Sequence, residues 1–314
     1  MKSTYKKSNR VSIIYQERHS IGLADIRLER KKNAIVKVLD KLGKQYHENM
    51  DKQLSILSYD HITNQIVSHG VYEIGDLSLV FNWLQGLNVE LSDGVALDIG
   101  ANIGNHSLYF SRFFKHVYSF EPYKRAFELL RLNSELVSNM TCFNFGVSSE
   151  NCVTKLFIPA SNIGGAKVSN EKIDSTEFSE VELKCLDDCF QSDIPIHLLK
   201  IDVEGHEYDA IKGAKNLISK HMPLIMFEQL KHEINDGTSI CIEWLKGVGY
   251  SKFACIEDRQ LPLRKFTPKM VREPLKNMIE IIRGRKRLII TKEKFHRKDY
   301  PFILAIPDRF FLTE

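Results

Sequence analysis

The sequence predicts an α/β fold: a mostly parallel seven-stranded sheet with helices on both faces, an antiparallel terminal strand and an N-terminal helical extension. Three observations predict it. From Val95 onward, apolar runs of strand length alternate with helical stretches, the rhythm of a doubly wound sheet. The first run, Val95 to Ile99, leads through a turn carrying Gly100 and Gly104 into a helix. An acid stands at the end of each of the first two strands, Asp98 and Glu121, where such sheets hold their ligands.

Residues 1 to about 20 are polar and read as an arm. Between Gly22 and Leu57, Leu23, Ile26, Ile35, Val38, Leu39 and Leu42 recur at helical spacing among charges, predicting one or two amphipathic helices. A further helix is expected over Asp76 to Leu84, ended near Gly86. Together, residues 1–90 form an N-terminal arm and helical extension. The core, 91–257, opens with strand Val95–Ile99 and helix Ile103–Phe113. Strand Val117–Phe120 follows, then Pro122, helix Arg125–Val137 and a third strand, Thr141–Val147. Lys155–Ile158 and Val181–Leu186 read as two more strands around the glycine-bearing loop Ser161–Gly165, and they interrupt the rhythm. After a short helix over Leu186–Phe190, the rhythm resumes with strand Ile196–Val203, helix Tyr208–Lys220 and strand Pro223–Phe227. A helix over Ser239–Val248 is ended by Gly249. Tyr250–Ile256 and Pro301–Pro307 are expected to close the sheet as a terminal hairpin. Residues 258–314 therefore hold a basic insertion and the terminal strand. The lysines and arginines from Arg264 to Lys298, with Arg285, Lys286 and Arg287 among them, read either as a solvated helical face or as a landing site for an anionic acceptor.

The turn selects the ligand. A dinucleotide site presents backbone amides to a pyrophosphate and spaces its glycines Gly-x-Gly-x-x-Gly. Here the order is Asp98-x-Gly100-x-x-x-Gly104, with a carboxylate that would repel phosphate and suit a cation. This disfavours a nicotinamide oxidoreductase. It fits S-adenosylmethionine, which carries an ammonium and a sulfonium and no phosphate. Glu121, about twenty residues beyond the turn, is placed to take ribose hydroxyls. The residues expected around the cofactor are Asp98, Gly100, Ala101, Asn102, Gly104, Glu121 and Pro122, with Asn144 toward the adenine. Gly100 is expected to let the backbone approach the donor closely.

Methyl transfer to a hydroxyl needs alignment and a base. Strand Ile196–Val203 carries Asp202 and Glu204 to the same sheet edge, on one face because strand residues alternate. Gly205 turns the chain and His206 follows. Asp202, Glu204 and His206 are therefore the catalytic candidates, with His206 the base because it titrates near neutrality. The structural alternative is that the acids cap the next helix. These groups and Glu228 also suit a divalent cation, but their spacing does not demand one.

LDIGANIGNHSLYF (97–110), FEP (120–122), FNFGVS (143–148) and LLKIDVEGHE (198–207) together resemble the FkbM-type methyltransferase family. The resemblance covers roughly Gly70 to Gln229 and is most specific in KIDVEGHE. It implies a Rossmann-like class I methyltransferase fold with S-adenosylmethionine as cofactor. It further implies O-methylation of a hydroxyl on a sugar, glycan or natural-product small molecule, and places Asp202 at the methionine end of the donor or facing the acceptor. The flanking segments match in outline only, so the acceptor's identity does not carry over.

Composition bounds the alternatives. The 314 residues are 43% hydrophobic and 27% charged, as in a soluble globular chain, and the net charge of +4 is small. A nucleic-acid methyltransferase is suggested only by the basic insertion. The turn Asp202-Val203-Glu204-Gly205 stands where enzymes acting on base nitrogens carry an Asn/Asp-Pro-Pro-aromatic turn, and it would set carboxylates beside a polyanion. Loss of Asp98 or Glu121 would have marked a non-catalytic binding module, and both are present. The six cysteines form no CxxC pair and read as reduced thiols. With no signal-like start and no membrane span, a cytoplasmic location is expected.

Overall fold

The computed structural model describes residues 31–41, 54–57, 61–87, 89–159, 165–168, 177–258 and 287–311. The chain divides into two compact units, residues 1–48 and 49–314. In the first, the described part is a helix over 31–41 (α1), exposed along its length. The remainder of the expected arm lies outside the described residues, as do the loop positions Ser161 to Gly164 and the basic residues from Arg264 to Lys286.

The second unit begins with two helices, α2 (His61–His69) and α3 (Ile74–Gly86). Then β1 (Val95–Ile99), α4 (Asn105–Phe110), β2 (His116–Phe120), α5 (Lys124–Ser134) and β3 (Met140–Phe143) alternate as expected. Four strands follow: β4 (Gly146–Val147), β5 (Cys152–Ile158), β6 (Lys167–Val168) and β7 (Glu177–Lys184). Helix α6 (Leu186–Cys189), β8 (Ile196–Ile201), α7 (Glu207–Gly213), α8 (Lys215–His221), β9 (Leu224–Gln229) and α9 (Ile240–Val248) restore the alternation. The chain closes with β10 (Lys252–Asp258), β11 (Arg287–Thr291) and β12 (Tyr300–Ile306).

The main sheet runs β11-β10-β12-β9-β8-β1-β2-β3. The pairs from β3 across to β9 are parallel, and β12 joins β9 antiparallel. The expected hairpin forms, with Phe253 opposite Ala305. An eighth strand is added because part of the basic insertion, Arg287-Leu288-Ile289-Ile290-Thr291, pairs antiparallel with β10. Its run of β-prone residues outweighs the charge around it, so this stretch is an edge strand and not the helical face considered from sequence.

Two further differences have local causes. The expected third strand splits after Phe143 because Asn144 Nδ2 donates to the carbonyls of Glu121 (2.9 Å) and Pro122 (3.2 Å). The chain then joins a separate four-stranded sheet, β4-β7-β5-β6. The helix expected over Tyr208–Lys220 breaks at Ala214, where ψ reaches 18°.

Packing follows the pleat. Val95, Leu97 and Ile99 of β1 face a core shared with Ile211, Ile218 and Leu245, while Ala96 faces a second core containing Leu77, Phe81 and Phe110. Helices thus cover both faces. Among the described residues, no helix is long and apolar enough to cross a membrane, and all six cysteines are free thiols.

Two glycines of similar local setting test this packing. A Cβ at Gly213 would stand 1.9 Å from the Ser148 carbonyl oxygen, whereas one at Gly247 meets nothing within 4 Å. Gly213→Ala should cost about 1–3 kcal/mol through overpacking. Gly247→Ala, inside α9, should gain about 0.5–1 kcal/mol. Urea denaturation of the full chain measures both.

Candidate active site

β1, β2, β8 and β9 end at one sheet edge, and their exit loops enclose a cleft. Gly100 to Ile103, Glu121, Pro122, Asp202 to Glu204, His206 and Glu228 line it from the sheet. Tyr72, Glu73, Asn105 and His106 line it from the helical side.

The donor turn is fixed by its backbone. Gly100 N and Ala101 N both donate to the Phe120 carbonyl at 3.0 Å. Gly100, Asn102 and Gly104 all take positive φ, at 76°, 49° and 88°. A Cβ at Gly100 would lie 1.8 Å from the Asp202 carbonyl oxygen. The glycine expected as clearance for the donor is thus first required by the crossing of two stretches of this chain. Gly104 lies off the cleft wall, where a Cβ would crowd Leu130 at 2.7 Å.

Asp98 does not face the cleft. It is fully buried and is the register neighbour of Lys200 on β8. Its Oδ1 stands 3.1 Å from Lys200 Nζ, and its Oδ2 accepts from Ser107 Oγ at 2.5 Å. Lys200 Nζ also donates to the Gly100 carbonyl at 3.0 Å and lies 3.4 Å from Asp202 Oδ2. Burial works against this ammonium, but Asp98 and Asp202 outweigh it and hold it protonated. Asp98 therefore positions the turn through Lys200, which sequence reasoning did not single out.

Glu121 is buried and lines the cleft. Its Oε2 accepts from Asn102 N at 2.9 Å and its Oε1 from Tyr123 N at 2.8 Å. Each oxygen retains a lone pair for a ligand hydroxyl. Burial raises the carboxyl to about 7, against those two bonds. Asn144 is exposed and off the cleft wall, and its Nδ2 binds the carbonyls of Glu121 and Pro122.

The second turn differs from its expected form. β8 ends at Ile201, so Asp202 and Glu204 are loop residues and not neighbours on one strand face. Glu204 and Gly205 take φ of 53° and 95°. Glu207 closes this loop by accepting from Val203 N (3.1 Å) and Gly205 N (3.0 Å), and burial raises its carboxyl to about 7. Neither Asp202 nor Glu204 caps α7: His206 is its N-cap and makes no side-chain capping bond. The loop nonetheless brings carboxylate oxygens of Asp202, Glu204 and Glu228 within 4.8 Å of one another. Glu228 Oε2 is buried without a hydrogen-bond partner. Burial pushes its carboxyl up to about 8, with Asp202, Glu204 and Glu207 adding to the rise and Lys167 opposing it. Glu204, also raised by burial and by Asp202, has Lys167 Nζ 3.7 Å away. His206 stands apart from the carboxylates. Its Nε2 lies 3.0 Å from Ser148 Oγ and its Nδ1 3.8 Å from Asp209 Oδ2. Burial lowers its pKa and keeps the ring neutral at physiological pH. The three carboxylates have the chemistry to hold a divalent cation, without the His206 ligand considered from sequence.

A family model, the methyltransferase FkbM domain, matches residues 98–252. These residues are an FkbM methyltransferase domain. Hexuronic acid methyltransferase AglP of Haloferax volcanii is 30% identical over 132 residues, covering 40% of this chain and 52% of that protein. The chain thus spans about half the length of this curated relative. Among solved structures, methyltransferase FkbM from Methylobacillus flagellatus is 17% identical with a TM-score of 0.39, covering 72% of this chain and 56% of that one. Precorrin-6y C5,15-methyltransferase from Geobacter metallireducens is 15% identical with a TM-score of 0.37, covering 75% and 87%. FkbM methyltransferases depend on S-adenosylmethionine.

The FkbM domain contains the donor turn, Glu121, Lys200 and the three carboxylates, but not the helical wall at Tyr72 and Glu73. The N-terminal helices were expected at the mouth of the site, but neither Tyr72 nor Glu73 was singled out from the sequence. Asn105, one residue past the turn, anchors this wall: Oδ1 accepts from Tyr72 N at 3.0 Å and Nδ2 donates to Tyr72 O at 3.2 Å. The Tyr72 and His106 rings stack at 6.0 Å, and His106 Nε2 is 3.4 Å from Glu73 Oε2. Burial, Glu73, Asp202 and Glu228 all raise the Tyr72 phenol, so this wall faces the carboxylates.

Lys200→Met leaves Asp98 buried and unpaired. It should destabilise the full chain by about 3–5 kcal/mol, and Asp98→Asn in the same chain should recover part of the loss. Thermal unfolding checks both. The same method reads a pH effect. Glu121 and Glu207 rise to about 7 and Glu228 to about 8, each from the ordinary 4.5. Raised acids favour the fold while protonated, so their contribution is complete below 4.5 and is lost as pH rises to about 8. The melting temperature of the ligand-free chain should fall across that window, and Glu228→Gln should flatten its upper part.

Proposed function

We propose that this chain is an S-adenosylmethionine-dependent O-methyltransferase acting on a hydroxyl of a sugar, glycan or similar small molecule. One observation carries the reading: the donor turn and a half-buried carboxylate, Glu228, whose Oε2 lacks a hydrogen-bond partner, open onto the same cleft. The FkbM domain supports it, as does a relative whose name assigns it a hexuronic acid.

The residues present fit the donor. Glu121 offers lone pairs to a pair of ribose hydroxyls, and a cleft walled by carboxylates favours a cationic ligand. When bound, S-adenosylmethionine supplies an electrophilic methyl on a sulfonium. Asp202, held against Lys200, positions the methionine end. Alignment is the larger task, since good orientation alone is worth an effective molarity of about 10⁵ M or more. Glu228 takes the acceptor's proton at Oε2, the oxygen left without a partner. His206, whose ring nitrogens face Ser148 and Asp209, and Glu204 shape the site around it.

Calorimetry with S-adenosylhomocysteine and transfer of a labelled methyl test this directly. S-adenosylhomocysteine should bind, and label should enter carbohydrate as an ether that survives mild alkali. Glu228→Gln should keep S-adenosylhomocysteine binding while turnover falls by about 10²-fold or more. Asp202→Asn should impair donor binding, turnover or both. Wild-type turnover should rise with pH through about 8 as Glu228 ionises. A chelator should leave it unchanged. Nicotinamide cofactor binding without a response to S-adenosylhomocysteine, or label found only in RNA or DNA, would overturn the reading.

A further inference from the structure

We infer that helix α1 lies on an anionic membrane surface, with its aliphatic side chains at the acyl boundary and its lysines among the headgroups. The inference concerns the unit of residues 1–48 alone and does not depend on the reaction. Along α1, Ile35, Val38 and Leu39 follow the i, i+3, i+4 spacing of one helix face, with Val36 at its margin. A stripe of this kind ordinarily faces a core. Here the four side chains are between 43% and 59% exposed. Among the described residues, they make up four of the ten exposed large hydrophobics, gathered within a helix of eleven residues. Lys37 and Lys41, one turn apart, share a different side, and α1 as a whole holds four lysines and one acid.

Charge is segregated along the sequence in the same place. Residues 1–48 carry twelve lysines and arginines against five acids, a net +7 in a chain whose total is +4. The remaining residues are therefore net −3. Such asymmetry marks a polyanionic or membrane-surface partner for the basic part.

The possible occupants differ in which of these features they satisfy. A nucleic acid takes the lysines and leaves the aliphatic face in water. A second copy of this chain covers the aliphatic face but brings one +7 unit against another. An anionic bilayer answers both. Aliphatic side chains enter the boundary between headgroups and acyl chains, while lysine stems run along it and keep their ammonium groups at the phosphates. The helix lies in the plane of the surface, because eleven residues rise only about 17 Å against a hydrocarbon core of about 30 Å.

Cosedimentation of the full chain with vesicles tests this. Equimolar phosphatidylcholine and phosphatidylglycerol should bind the chain about tenfold or more tightly than phosphatidylcholine alone, since each lysine near an anionic surface is worth about fivefold. The difference should shrink between about 0.1 M and about 1 M salt, as screening shortens from about 10 Å to about 3 Å. Val38→Glu with Leu39→Glu should weaken binding to the anionic vesicles by about tenfold or more. Lys37→Gln with Lys41→Gln should weaken it by about fivefold for each lysine and leave phosphatidylcholine unaffected. All four positions are exposed, so both variants should keep the wild-type melting temperature. Equal binding to the two vesicle types, or binding unmoved by Val38→Glu with Leu39→Glu, overturns the inference. So does an absence of vesicle binding. In that case a dimer in sedimentation equilibrium that Val38→Glu with Leu39→Glu splits assigns the face to a second copy, and salt-sensitive RNA binding assigns the lysines to nucleic acid.

Discussion

One buried ammonium organises this site. Lys200 sits at the point where β8 leaves the sheet, 2% exposed, and contacts three separate groups: Asp98 on β1, the Gly100 carbonyl in the donor turn and Asp202 in the following loop. An ion pair at this depth brings little net stability, because desolvation offsets most of the attraction. Its value is geometric. With Asp98 fixed by Ser107, and Ser119 donating to Ser107 at 2.8 Å, the ammonium can occupy few positions. The donor turn and the acid-bearing loop are thereby held in one arrangement. Gly100 completes the device, because any side chain there would collide with the Asp202 backbone.

That constraint explains where the acids go. Glu207 and Glu121 each accept from backbone amides and fix a loop, and Glu121 alone of the two also lines the cleft. Glu204 and Glu228 are then left to face the cleft without comparable partners. The like charges and the burial that raise their pKa values come from the same placement. An FkbM domain arranged in this way supplies a polar, cation-tolerant cavity at a sheet edge, and the helical wall outside the matched segment narrows it.

Much of the fold was legible because its signals are local. β1, β2 and β9 are short apolar runs bounded by glycine, proline or acid, and Ser239 and Gly249 mark both ends of α9, with Ser239 Oγ accepting from Ile242 N. The donor turn was legible for the same reason. What could not be read depends on pairing across the chain. Asp98 and Lys200 are neighbours only because β1 and β8 align in register. Tyr72 and Glu73 reach the cleft only because Asn105 grips the Tyr72 backbone. β11 was hidden by its charged surroundings, and the bonds from Asn144 to the backbone of residues 121 and 122 leave no trace in spacing.

The central claim is that one cleft holds the sulfonium donor and the group that receives the acceptor's proton. A crystal structure of the full chain with S-adenosylhomocysteine tests it most directly. The account predicts ribose hydroxyls on the Glu121 carboxylate, the methionine end beside Asp202, and the sulfur opening toward Glu228 with no residue between them. A ligand bound outside this cleft, or a Glu228 carboxylate walled off from the sulfur, would contradict it.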